Sequence, residues 1–165
     1  MLVTSVSRNN IIMSYVMSTV LKALVQVAIL ISVAILLGMQ ASNITAVGLV
    51  VTFFAEALLA IGLSAFFTMV GILSADPNVQ LAVMSFISLP LLFASNSLFP
   101  INSMPVWLQY ITKINPLTYA NDIARQTLLG LTGINPSAID FTVLGSFAAV
   151  FSIISVLLSL RFLSK

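Results

Sequence analysis

Residues 98–119 read "LFPINSMPVWLQYITKINPLTY", and they interrupt a chain that is otherwise almost unbroken hydrocarbon. The stretch holds three of the six prolines, the only tryptophan, two asparagines and Lys113. Pro100 and Pro105 rule out one continuous helix through the region, because each removes a backbone donor and clashes with the preceding turn. Between Pro105 and Ile114 the apolar residues Val106, Leu108 and Ile111 accompany Trp107 and Tyr110, three positions apart. Such ring-bearing residues with a polar handle favour the headgroup level of a bilayer. The spacing predicts a short helix lying on a membrane interface, started by Pro105.

Working downstream, Asn115 before Pro116 is biased to an extended or turn conformation. Pro116 then suits the first turn of a second helix, which Gly130 or Gly133 ends. On it, Asp122 and Arg125 stand three apart and are placed to pair, lowering the cost of lying near lipid. Residues 100–140 are long for a structureless loop and mostly apolar. An ordinary external loop remains the plain alternative; a re-entrant helix–turn–helix resting on the membrane fits the length and composition better.

The surroundings make the membrane reading firm. Charged residues are 6% of the chain and apolar ones 60%, where a soluble domain carries about 25% charged. Ten formally charged side chains cannot solvate a 165-residue globule. A helix needs roughly 20 apolar residues to cross the hydrocarbon core. Four segments qualify: residues 21–38, with Lys22 at its end to snorkel; 46–73, carrying Glu56; 79–99, with Pro90 inside; and 141–160. The expectation is therefore a single all-α polytopic domain of four spans plus an external helical hairpin over 100–140. Arg8, Lys22, Arg161 and Lys165 flank the first and last spans, against Lys113 and Arg125 outside, so the bias of basic residues puts both termini in the cytoplasm. Arg8 and Lys22 read as inner-interface anchors. Asn43 begins an "NIT" acceptor triplet in the first outer turn.

Function classes narrow quickly. The chain has neither cysteine nor histidine, so thiol nucleophiles and the usual zinc sets are excluded. It holds no Gly-x-x-x-x-Gly-Lys-Ser/Thr loop for a nucleotide. The basic residues are too scattered for a nucleic-acid surface. Glu56 is the one carboxylate deep in a span, where an unpaired charge costs roughly 2.5–3.5 kcal/mol on insertion scales. Ala60 and Ser64 follow it at four-residue steps and form a small-residue face suited to close helix contact. Glu56 and Ser64 are thus either part of a translocation path or a neutral packing bond.

The run "LPLLFASNSLFPINSMPVWLQYITKINPLTYANDIAR", residues 89–125, resembles the C-terminal signature of the membrane subunits of type-2 ABC exporters. Ser95, Phe99, Pro100, Pro105, Trp107, Asn115, Pro116, Leu117, Tyr119, Asp122 and Arg125 stand at the positions that carry it, with Asn96 where glycine is usual. The beginning, "TSVSRNNIIMSYVMSTVLKALVQ" from Thr4, is similar to the family's Thr-Pro-x-Ser-Arg entry into a third span, with Ser5 replacing proline. The resemblance implies a permease subunit supplying the third to sixth spans, driven by a separate ATP-binding subunit, paired with a second permease subunit and embedded in the cell membrane. It implies that two further spans and a cytoplasmic coupling helix belong before Met1, and it puts Arg8 near the ATPase. It also allows Asp122 and Arg125 a part in an outer gate. The alternative is a non-transporting scaffold or a remnant of such a permease.

Overall fold

The computed structural model describes residues 8–38, 44–74 and 76–162. Asn43 and Lys165 lie outside them, as does the Arg8 side chain. Six α-helices follow one another, and no strand occurs among the described residues: α1 (Arg8–Leu36), α2 (Ala46–Leu73), α3 (Pro77–Phe93), α4 (Val106–Ile114), α5 (Pro116–Leu129) and α6 (Ser137–Phe162). A 3-10 turn, Ile101–Ser103, sits between α3 and α4. The all-helical class expected from composition is what the chain adopts.

Among the described residues three helices are long and apolar enough to cross a membrane: Val16–Leu36 within α1, all of α2, and Ser137–Arg161 within α6. At 1.5 Å per residue the 28 residues of α2 span about 42 Å, more than a bilayer core needs. The expected third span differs. Helix α3 has 17 residues, about 25 Å, and stops at Phe93 rather than Phe99. The helix runs through Pro90, and at its end the Ser95 hydroxyl, 2.7 Å from the Leu92 carbonyl, satisfies a helix-terminal acceptor by side chain instead of by another turn. The first span also shifts. Nothing in residues 8–20 breaks a helix, so α1 begins a dozen residues early, and Lys22 lies six residues inside the apolar run instead of at its edge.

Helix starts follow side-chain chemistry. Thr45 accepts from the Gly48 N–H at the head of α2, and Asp76 accepts from the Asn78 N–H before Pro77 opens α3. Helix α5 ends on Gly130, whose positive φ of 63° suits a residue without a Cβ.

Packing centres on α2, which lies against α6, α5 and α1. Ala55 and Leu59 of α2, Ala120 and Ile123 of α5, and Leu144 of α6 form the buried core. Small residues let the backbones approach. A Cβ on Gly62 would sit 2.4 Å from the Phe147 ring, and one on Gly48 only 2.5 Å from the Thr127 carbonyl oxygen. This is how helices associate where the solvent is itself apolar. Hydroxyls of Thr52 and Thr127, 2.8 Å apart, add a link from α2 to α5. By contrast α3 buries no residue, and the apolar run of α1 has none buried. Both present hydrocarbon outward, as chains surrounded by lipid do.

Candidate functional site

Polar side chains gather around α5, the helix that stands between the exit of α3 and the entry of α6. Its start is set by Asn115. The Asn115 carbonyl oxygen accepts from the Leu117 N–H at 3.0 Å, capping α5, while its amide donates to the Leu91 carbonyl at 2.6 Å, a free acceptor at the end of α3. One buried side chain therefore closes two helix termini at once. Pro116 occupies the first turn, where its missing donor is not needed. Tyr119 donates its hydroxyl to the carbonyl of Lys113 near the end of α4. Burial, with the charge of Asp140 behind it, pushes the Tyr119 phenol above its usual range, so it stays a donor.

Two faces of α5 then diverge. On one, Asn121 donates to the Ser97 hydroxyl and Arg125 donates to the Asn96 carbonyl at 2.5 Å, stitching the helix to the turn after α3. On the other, the buried Asp122 carboxylate accepts from the Ile134 N–H at 2.8 Å and the Asn135 N–H at 3.1 Å. Gln126, one turn on, donates to the Asn135 carbonyl at 3.0 Å and to Asp140 at 3.3 Å, and it accepts from Ser137. That network fastens the 130–136 connection and the first turn of α6.

The expected Asp122–Arg125 pair does not form: each takes its own partners, and no ion pair joins them among the described residues. The reason is positional. Asp122 meets two backbone donors of a tight connection, and Arg125 meets the Asn96 carbonyl where α3 unwinds, so neither has a reason to turn toward the other.

The remaining expected residues fall into separate places. Pro105 starts α4, accepting from the Leu108 N–H at 2.9 Å, and Pro100 accepts from Ser103 in the 3-10 turn. Trp107 and Tyr110 are both 64% exposed on the outer face of α4, with Ile111 and Ile114 beside them. The Lys113 ammonium lies 5.7 Å from the Tyr110 ring centre, a cation–π approach. The opposite face of α4 is closed by Thr112, fully buried and bonded to Met104 Sδ at 3.4 Å.

Glu56 and Ser64 are not brought together. Ser64 is buried and donates to the Ile61 carbonyl at 2.9 Å, while Glu56, two turns earlier, is half-buried and has no polar partner among the described residues. Lys22 is exposed, and Arg8 opens α1. Sequence reading missed Ser97, Asn121, Gln126, Asn135 and Asp140. The signal lay in four-residue spacing along α5, where Asn121 with Arg125 and Asp122 with Gln126 define two adjacent polar stripes.

Apolar helices of membrane-crossing length, packed through small residues, define a multi-pass membrane protein. The chain belongs to the ABC-2 type transporter family, whose sequence model matches residues 1–129, from before α1 to the end of α5. It is 35% identical over 119 residues to a putative transport permease, ycf38, of Cyanophora paradoxa, covering 72% of this chain and 40% of that protein. The corresponding protein of Pyropia yezoensis is 30% identical over 123 residues, covering 73% and 40%. A daunorubicin resistance ABC transporter permease protein, DrrB1, of Streptomyces coeruleorubidus is 26% identical over 133 residues, covering 81% and 47%. The chain thus spans less than half the length of these relatives. No solved structure matches it significantly.

Proposed function

We propose that this chain forms the C-terminal part of an ABC-2 permease subunit that exports its substrate, with the third to sixth spans of the whole subunit supplied by α1, α2, α3 and α6. In this reading both termini are cytoplasmic, and α4 with α5 forms a re-entrant hairpin at the outer face of the cell membrane. A two-span N-terminal half, a second permease subunit and a separate ATP-binding subunit complete the transporter. ATP binding supplies the energy, and the helices here supply elements with two packed arrangements.

One observation carries this reading. Asn115 ties the exit of α3 to the start of α5, so residues 100–129 form a folded unit held against the spans, not a free loop. Support also comes from α4, whose exposed Trp107, Tyr110, Ile111 and Ile114 suit the headgroup boundary. In this reading the short α3 makes its crossing together with the buried turn at Ala94–Asn96 that follows it. Glu56, half-buried and unpartnered among the described residues, is the residue we assign to a polar lining of the path or to a contact with the absent half. The test is co-purification with a candidate ATP-binding subunit followed by ATP hydrolysis in liposomes. Substrate-stimulated hydrolysis is expected; a complex that assembles yet never responds to substrate would mark a scaffold.

A further inference from the structure

A cavity of about 310 Å³ opens between the last turns of α1, the turn after α3 and the flank of α5. One wall is hydrocarbon: Leu30, Ile31 and Ala34. The other carries Ser97, Asn121 and Arg125 among the apolar Ala124, Leu128 and Leu129. We infer that this cavity binds an anionic phospholipid, with the phosphate at Arg125 and an acyl chain along α1.

Three features converge on that ligand. First, the charge of Arg125 is uncompensated. Its recorded bond goes to a neutral carbonyl, that of Asn96, and no carboxylate pairs with it among the described residues. Asp122, the nearest acid in sequence, is engaged by the Ile134 and Asn135 N–H groups. A guanidinium has five donors in a planar fork, so four remain for an anion, and phosphate oxygens match that fork.

Second, the same turn holds unspent hydrogen-bonding capacity. Asn96 is 1% exposed, and neither its side-chain nitrogen nor its oxygen has a partner among the described residues. Buried polar groups are nearly always satisfied, so this orphaned amide, on the residue whose backbone carbonyl holds Arg125, marks the turn beside the cavity as incompletely satisfied. Third, one cation set in a mostly hydrocarbon lining suits an amphiphile better than a free anion. Leu30, Ile31 and Ala34 lie in the last two turns of α1, so the cation stands near a helix end, at the depth where a phosphate resides in a bilayer. The site belongs to this chain whether or not it exports anything, so it stands or falls separately from the reading above.

Native mass spectrometry of the purified 165-residue chain, titrated with dioleoyl phosphatidylglycerol or dioleoyl phosphatidylcholine, tests it. The anionic lipid should be retained at least about tenfold better, the equivalent of one bidentate charge-assisted contact. Arg125→Gln should erase that preference, Arg125→Lys should keep most of it, and Lys113→Gln should leave it unchanged. Ala34→Trp, which fills the apolar wall without touching the charge, should weaken retention of the anionic lipid about as much; it decides the matter should Arg125→Gln fail to fold. Inorganic phosphate at millimolar concentration should not displace the lipid. Equal retention of both lipids, an unaltered preference in Arg125→Gln, undiminished retention of the anionic lipid in Ala34→Trp, or displacement by free phosphate would each overturn the assignment.

Discussion

Replacing Asn115 separates its two bonds and so measures the joint that holds the outer hairpin to the spans. Asn115→Ala removes both. The lost cap at the Leu117 N–H costs about 1 kcal/mol, and the stranded Leu91 carbonyl about 1–3 kcal/mol, giving roughly 2–4 kcal/mol in all. Asn115→Ser keeps a cap of similar quality, but its hydroxyl is too short to serve Leu91 as well, so its cost is the carbonyl term alone, about 1–3 kcal/mol. Unfolding in mixed micelles with rising dodecyl sulfate gives the free energies, and hydrogen exchange at the Leu117 amide reports the cap directly. The expected order is wild type, then Ser, then Ala, with the Leu117 amide protected in the first two and exchanging fast in the third. An Asn115→Ala protein within about 0.5 kcal/mol of wild type, the range of an idle surface change, would refute the joint. So would a Ser variant as unstable as Ala.

Other consequences are sharper for being local. Gly62→Ala should cost about 1–3 kcal/mol by driving a methyl into the Phe147 ring, Phe147→Leu should recover most of it, and Gly145→Ala, whose Cβ meets nothing within 4 Å, should cost nothing and gain up to about 1 kcal/mol in the same unfolding assay. Asp122→Ala should free the Ile134 and Asn135 N–H groups, costing roughly 2–4 kcal/mol and opening residues 130–136 to proteolysis. A double-mutant cycle with Arg125→Ala should give a coupling under about 0.5 kcal/mol, because the two side chains share no bond. Glu56→Gln should preserve folding yet lower substrate-stimulated ATP hydrolysis by roughly fivefold or more, the lower end of coupling between distant sites; unchanged stimulation would return Glu56 to helix packing.

How much of this was legible before the structure differs from element to element. The membrane class and α2 followed from apolar length alone, because nothing in residues 46–73 competes with a helix. The prolines gave the starts of α4 and α5 correctly, since a fixed φ and a missing donor act locally. What failed was pairwise inference on α5. Three-residue spacing makes Asp122 and Arg125 neighbours on a helix, but their partners, Asn96 and the 134–135 backbone, come from segments remote in sequence. The premature end of α3 was hidden for a related reason: residues 94–99 carry no charge and continue an apolar run, and only the hydroxyl of Ser95 bonding back to Leu92 shows the helix stopping. The double role of Asn115 could be half seen, as a turn before proline. Its hold on Leu91, 24 residues away, could not.

Sidedness is the claim on which the export reading rests, and the natural absence of cysteine makes it directly measurable. Lys113→Cys on α4 and Asn78→Cys at the start of α3 place single thiols at the two predicted faces, both positions exposed. A membrane-impermeant maleimide added to intact cells should modify position 113 at once and position 78 only after permeabilisation. Labelling of position 78 from outside, with position 113 protected until the cells are opened, would reverse the topology and contradict the account.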